Sequence, residues 1–207
     1  MHNDQIHPDF SNIMGREEKE LFLQQRSRVI WMTGLSGAGK STIASHIEYH
    51  LHKQGFLAQV LDGDNIRSGI NNNLGFSEAD RYENIRRIAE VSKLFLNCGI
   101  ICINSFISPT RAIRQIAYEI IGRKNMIEIY VNAPLPVCEK RDVKGLYKKA
   151  RAGKIKQFTG IDSPFEPPEN PDIILHTDQQ TIEQSITRCM EFILPVIRLD
   201  VQHTATG

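Results

Sequence analysis

The sequence predicts an α/β domain built on a mostly parallel, five-stranded sheet, with helices on both faces and a basic lid. Two observations carry that expectation. From Arg28 onward short apolar runs alternate with amphipathic stretches, the pattern that right-handed crossovers turn into a parallel sheet. The polar, glycine-rich and acidic segments fall where the apolar runs end, which is where such sheets bind ligands.

Taken in order, Val29–Thr33 is a buried strand, and Lys40–Lys53 is a helix that Gly55 ends. Ala58–Leu61 is the second strand, closing in Asp62-Gly63-Asp64. Ser77 caps the next helix, and Asp80 completes an S-x-x-D capping box. Ile85, Ile88, Val91, Leu94 and Phe95 share one face of that helix, and Gly99 stops it. Ile100–Ser105 is a strand apolar enough to be covered on both faces. Ala112–Ile121 is helical, Met126–Val131 a strand and Pro136–Arg141 a short helix. Asp172–His176 gives the fifth strand, and Thr181–Ile197 a closing amphipathic helix. The expected organisation is an arm over 1–26, with a loose helix at Glu17–Gln25, a domain over 27–199 with its lid at about 144–163, and a tail over 200–207.

Composition sets bounds. A chain of 207 residues that is 41% hydrophobic can bury a core of its own. A formal net charge of +1 removes any global attraction to nucleic acid or membrane, so anion sites must be local. No apolar run has the length of a signal peptide or a membrane span, and the cytoplasm is the expected compartment. Cys98, Cys102, Cys138 and Cys189 lie scattered in apolar stretches and read as small core residues. His46, His50 and His52 read as a solvated helix face, since no H-E-x-x-H pattern accompanies them.

Gly34-Leu35-Ser36-Gly37-Ala38-Gly39-Lys40-Ser41 matches G-x-x-x-x-G-K-[ST] between an apolar strand and a helix. The glycines let successive N–H groups turn inward on phosphates, and the helix N-terminus adds positive potential. The expected fold is therefore the three-layer P-loop NTPase fold. ATP is the expected cofactor, held by Gly34 through Thr42; Lys40 bridges its β- and γ-phosphates, and Ser41 holds Mg²⁺. The strand ending Ile103-Asn104-Ser105 lacks a terminal acid; the acids come after the second strand as Asp62 and Asp64. They can serve the metal through water, or an acceptor hydroxyl. With no N-K-x-D and no long insertion, the chain reads as a small-molecule kinase.

Arg67, Arg81, Arg86 and Arg87 gather guanidinium forks near one strand end, suited to phosphate or sulfate oxygens. Pairing of Arg86 and Arg87 with Glu83 and Glu90 on a helix surface is the alternative. Phe76 can stack on a purine. The basic run Lys144–Lys156 reads as a lid over the triphosphate, with Lys144 and Lys149 as its phosphate contacts.

These residues carry a resemblance. From Val29 to about Leu175 the sequence is similar to the adenylylsulfate kinase family, through Gly34–Ser41, Asp62–Arg67, Leu74–Ser77, Asp80–Arg87, Ser105–Pro109, Lys144–Gly153, Phe158–Asp162 and Pro164–Pro168. The resemblance implies phosphoryl transfer from ATP to the 3′-hydroxyl of adenylyl sulfate, giving 3′-phosphoadenylyl sulfate and ADP. It implies acceptor contacts from Asp64, Arg67, Phe76, Arg81, Asn84, Ile107 and Ser108, with Phe158 sandwiching the acceptor adenine opposite Phe76. It also implies a homodimer, a link to an ATP sulfurylase, and a phosphorylated intermediate at Ser108. In-line transfer needs only positioning and charge neutralisation, so a hydrogen-bond donor is expected at Ser108 instead. Lys40, Asp64 and Ser108 are the expected catalytic residues. Two rival readings remain: a P-loop kinase for a nucleoside monophosphate or sugar acid, and a non-catalytic nucleotide-binding module.

Overall fold

The computed structural model describes residues 13–199; the first part of the expected arm and the tail at 200–207 lie outside them. Chain order runs α1 (Arg16–Leu23), β1 (Val29–Thr33), α2 (Lys40–Lys53), β2 (Ala58–Asp62), α3 (Gly63–Ser68), α4 (Glu78–Asn97) and β3 (Ile101–Ser105). It continues through α5 (Arg111–Ile121), β4 (Met126–Asn132), α6 (Leu135–Arg141), α7 (Leu146–Arg151), β5 (Ile173–His176) and α8 (Ile182–Ile197). The five strands form one parallel sheet in the order β2-β3-β1-β4-β5.

Every residue of β1 and β3 is buried, because helices cover the sheet on both sides. Side chains of β1 alternate between two cores: Ile30 and Met32 pack with α2 and α8, whereas Val29 and Trp31 pack with α4 and α5. Parallel pairing sets Met32 beside Ser105, and Ser105 beside Asp62. The loops that follow β1, β2 and β3 therefore leave the sheet side by side.

Several details differ from the sequence expectation. Short helices α3 and α7 form where none was expected. Ser77 caps α4 by accepting from the Asp80 N–H (3.1 Å), but the Asp80 carboxylate takes the Ser77 hydroxyl (2.7 Å) rather than the backbone N–H of a capping box. Leu94 points to solvent, and Leu96 fills the inward position with Ile85, Ile88, Ala89 and Ser92. Cys98, at the end of α4, is exposed, unlike the other three cysteines.

Helix α1 is docked rather than loose. Its Glu20 carboxylate is buried and accepts from the Ser27 N–H (2.8 Å), the Ser27 hydroxyl (2.5 Å) and Arg16 Nε (2.7 Å). Gln25 then bonds the backbone of Leu57 and Gly99, tying the segment to the ends of α4 and β2. Burial alone would raise the Glu20 pKa, yet the Ser27 hydroxyl, Arg16 and the Ser27 amide together hold it below the ordinary value. A carboxyl with a depressed folded pKa contributes stability above its unfolded pKa and loses it as pH falls through the folded one. Glu20→Gln should therefore lower stability at pH 7 by about 1–3 kcal/mol. In thermal melts that deficit should shrink below about pH 4.

Candidate active site

At the carboxyl ends of β1, β2 and β3 lies a cleft of about 710 Å³, toward the upper end of the range of ligand sites. Its floor is the turn between β1 and α2. Gly34 there has φ +152°, and a Cβ would stand 2.3 Å from the Val131 carbonyl oxygen, so a side chain is excluded. Gly39 enters α2 at φ +106°. Lys40 is the first residue of α2 and is 8% exposed; its Nζ donates to the carbonyls of Gly34 (2.9 Å) and Leu35 (2.8 Å). Burial pushes its pKa down to about 8, with the carboxylates of Asp62 and Asp64 opposing the shift.

Beside the floor, the Ser41 hydroxyl donates to Asp62 Oδ2 (2.6 Å) and lies 3.3 Å from Ser105 Oγ. Asp62 is the last residue of β2 and the N-cap of α3; its other oxygen accepts from the Asp64 N–H at 3.1 Å. That cap turns Asp64 into the cleft, where its carboxylate pairs with Lys144 of the segment between α6 and α7. A hydroxyl and a carboxylate in contact next to a phosphate cradle fit Mg²⁺, which takes few protein ligands and shares phosphate oxygens and water. No cluster of three or more His, Cys, Asp or Glu occurs among the described residues.

At one end of the cleft, Arg141 reaches from α6 to the carbonyls of Gly37 (3.2 Å) and Thr177 (2.6 Å). The Thr177 hydroxyl donates to the Ala38 carbonyl at 2.7 Å. Gln180, Thr181 and Ile182 complete that wall. None of these was singled out in the sequence. Tyr147 of α7 is buried, donates to the Ser36 carbonyl (2.9 Å) and meets Phe158 edge-on at 4.9 Å, so the lid helix rests on the floor.

The opposite end presents Arg67, Phe76, Arg81, Asn84, Ile107, Ser108 and Phe158. The Arg67 guanidinium lies over the Phe76 ring at 4.4 Å and donates to the Gly75 carbonyl (2.8 Å). Arg81 reaches the Phe76 carbonyl (2.9 Å) and Thr159 Oγ1 (2.7 Å), joining α4 to the segment that carries Phe158. Asn84 is buried, and its side-chain oxygen accepts from Asn71 (3.0 Å). Ser108 adopts φ +43°, and its Oγ accepts from Trp31 Nε1 at 3.0 Å, which leaves the hydroxyl proton to donate.

Thus Ser36 through Thr42, together with Asp62 and Asp64, line one cleft with every expected acceptor contact; of the two expected lid lysines Lys144 lines it and Lys149 does not. Gly34 and Leu35 lie beneath the lining, their carbonyls occupied by Lys40. Tyr147 and Ala150 fix the inward face of α7, and Lys149 is exposed on its outer side. Lys144 is the lid lysine the fold brings in. Arg86 and Arg87 turn outward, paired with Glu83, and Arg86 also with Glu90.

The adenylylsulphate kinase family model matches residues 26–176. The chain belongs to that family. An adenylyl-sulfate kinase of Bacteroides thetaiotaomicron is 60% identical over 93% of this chain and 96% of that protein. One from Clostridium kluyveri is 52% identical over 87% and 90%. Among solved structures, the APS kinase CysC of Mycobacterium tuberculosis in complex with AMPPNP and APS superposes with a TM-score of 0.78. It shares 44% identity and covers 82% of this chain and 98% of its own.

The Lys40 environment gives a pH signature. Triphosphate oxygens beside the ammonium favour its charged form, so ATP binding must take up a proton once pH exceeds about 8. Affinity should be flat from pH 7 to 8, then fall by up to about tenfold per unit. Calorimetry in buffers of different ionisation heat measures both effects, and Lys40→Ala should abolish them.

Proposed function

We propose that the protein is an adenylyl-sulfate kinase, moving the γ-phosphate of ATP to the ribose 3′-hydroxyl of adenylyl sulfate. The observation that carries this is the lining of the cleft. A phosphate cradle with Lys40, Ser41 and Asp62 shares one cleft with Arg67, Arg81, Phe76, Phe158 and Asn84, and Asp64 lines the same cleft.

ATP lies with its phosphates on Gly34–Thr42 and its base toward Arg141 and Gln180–Ile182. Lys40 faces the β- and γ-phosphates, and Lys144 exchanges Asp64 for a phosphate oxygen as the lid closes. Ser41, with Asp62 directly or through water, would hold Mg²⁺, which supplies charge neutralisation on the transferring group. The acceptor adenine stacks between Phe76 and Phe158, Arg67 and Arg81 take the anionic phosphosulfate, and Asn84 and Ile107 fix its position. Asp64, released from Lys144, orients or deprotonates the 3′-hydroxyl, and Ser108 donates a hydrogen bond to the acceptor. Nearness to Trp31 and deep burial make Ser108 a donor held in place rather than a nucleophile with a base beside it. On the family resemblance the proposal extends to a homodimer working with an ATP sulfurylase in the cytoplasm; no helix among the described residues is long and apolar enough to cross a membrane.

The test is ADP and 3′-phosphorylated product, followed by chromatography with adenylyl sulfate, AMP or gluconate as acceptor. Product should require adenylyl sulfate and Mg²⁺, and Lys40→Ala should abolish it. ADP formed only with AMP or gluconate would overturn the reading, as would nucleotide binding with no transfer. Asp64→Asn should lower kcat by roughly 10²–10⁴-fold while ATP affinity changes little.

A further inference from the structure

Arg114 lies on α5, outside the cleft, and is 3% exposed. Its Nη1 donates to the Ser108 carbonyl (2.8 Å) and its Nη2 to the Glu166 carbonyl (2.8 Å). Its Nε stands 3.5 Å from Glu128 Oε1 of β4, a carboxylate as buried as the arginine itself. One guanidinium thus bridges the loop after β3 and the strap that leads from Phe158 to Glu166.

The strap has further ties to the same place. The Glu166 N–H donates to the Pro109 carbonyl (2.8 Å), its carboxylate accepts from the Arg111 N–H (2.7 Å), and Phe165 stacks on Tyr130 with ring centres 6.0 Å apart. Both ends of this bridge reach the acceptor side of the cleft. Ser108 does so directly, and the strap does so through Phe158 and Thr159, the latter held by Arg81. Ser108 keeps a left-handed φ of +43°, a conformation that persists only where surroundings over-determine it. Trp31 holds its hydroxyl, while Thr33 Oγ1 (3.3 Å) and Arg114 converge on its carbonyl.

A buried ion pair of this kind is a poor way to stabilise a fold. Replacing such pairs with apolar side chains of similar volume is often neutral or stabilising. The forked geometry, with two carbonyls from two segments on one rigid plane, is what an apolar side chain cannot supply.

We propose that Arg114 is a positioning residue for the acceptor, fixing Ser108 and the Phe158 strap relative to each other, with Glu128 as its internal counter-ion. The inference rests on the proposed reaction and deepens it. Two variants test it, with melting temperature, ATP Kd and kcat/KM for adenylyl sulfate measured on each. Arg114→Met/Glu128→Met removes both charges together, so that no bare charge stays buried; it should still fold, melting below the parent because the Glu166 carbonyl loses its donor. Arg114→Lys keeps a charge beside Glu128 but loses the fork. Each should lose roughly tenfold to a hundredfold in kcat/KM for adenylyl sulfate, with ATP Kd within about twofold of the parent. Parental kcat/KM in either folded variant would overturn the inference, as would an equal loss of ATP affinity. Turnover of adenylyl sulfate by the parent in the same assay reports separately on the reaction itself.

Discussion

The lateral register of three parallel strands is the constraint on which the site depends. β1 sits between β3 and β4, and β2 lies against β3, so that Met32, Ser105 and Asp62 are aligned across the sheet. That alignment brings Ser41, in the first turn of the helix after β1, into contact with the acid that ends β2. It also places Ser108 where a tryptophan of β1 can hold its hydroxyl. A slip of one residue would exchange the faces of Ile30 and Trp31 and break both cores as well as the site. The packing that stabilises the sheet is thus also what aligns the chemistry.

Within the cleft, charged groups are matched to one another: Lys40 with two carbonyls, Ser41 with Asp62, Asp64 with Lys144. In the proposed reaction a triphosphate replaces these partners on Lys40 and Lys144, which frees Asp64 for the acceptor. Substrate binding is then an exchange of hydrogen bonds rather than a burial of bare charge, which keeps its desolvation penalty low.

Much of this was legible in the sequence, for physical reasons that differ by element. The phosphate loop is a local device whose glycines and lysine must sit at fixed spacing, and β1 and β3 announced themselves as largely apolar runs because both their faces are covered. α3 and α7 were not legible, since six-residue helices depend on caps from outside their own pattern. Asp62 caps one, and Asp142 takes the first N–H groups of the other, at 2.9 and 3.0 Å. That Lys149 lies outside the cleft lining was not legible because a run of basic residues carries no phase; the phase is set by Tyr147 packing on Ser36. Arg141 and Thr177 meet only through the pairing of β4 with β5, and Arg114 acts across a long sequence separation, so neither could stand out among the other arginines.

The central claim is that one phosphoryl group passes in line from nucleotide to acceptor across this cleft, with Ser108 as a donor and no covalent stop on the protein. The stereochemical course at phosphorus tests it most directly, using ATP made chiral at the γ-phosphorus by oxygen isotopes. A single displacement inverts the configuration, and inversion in the 3′-phosphate of the product is the result this structure predicts. Retention would require two displacements, and with them a phosphorylated protein intermediate that contradicts the account.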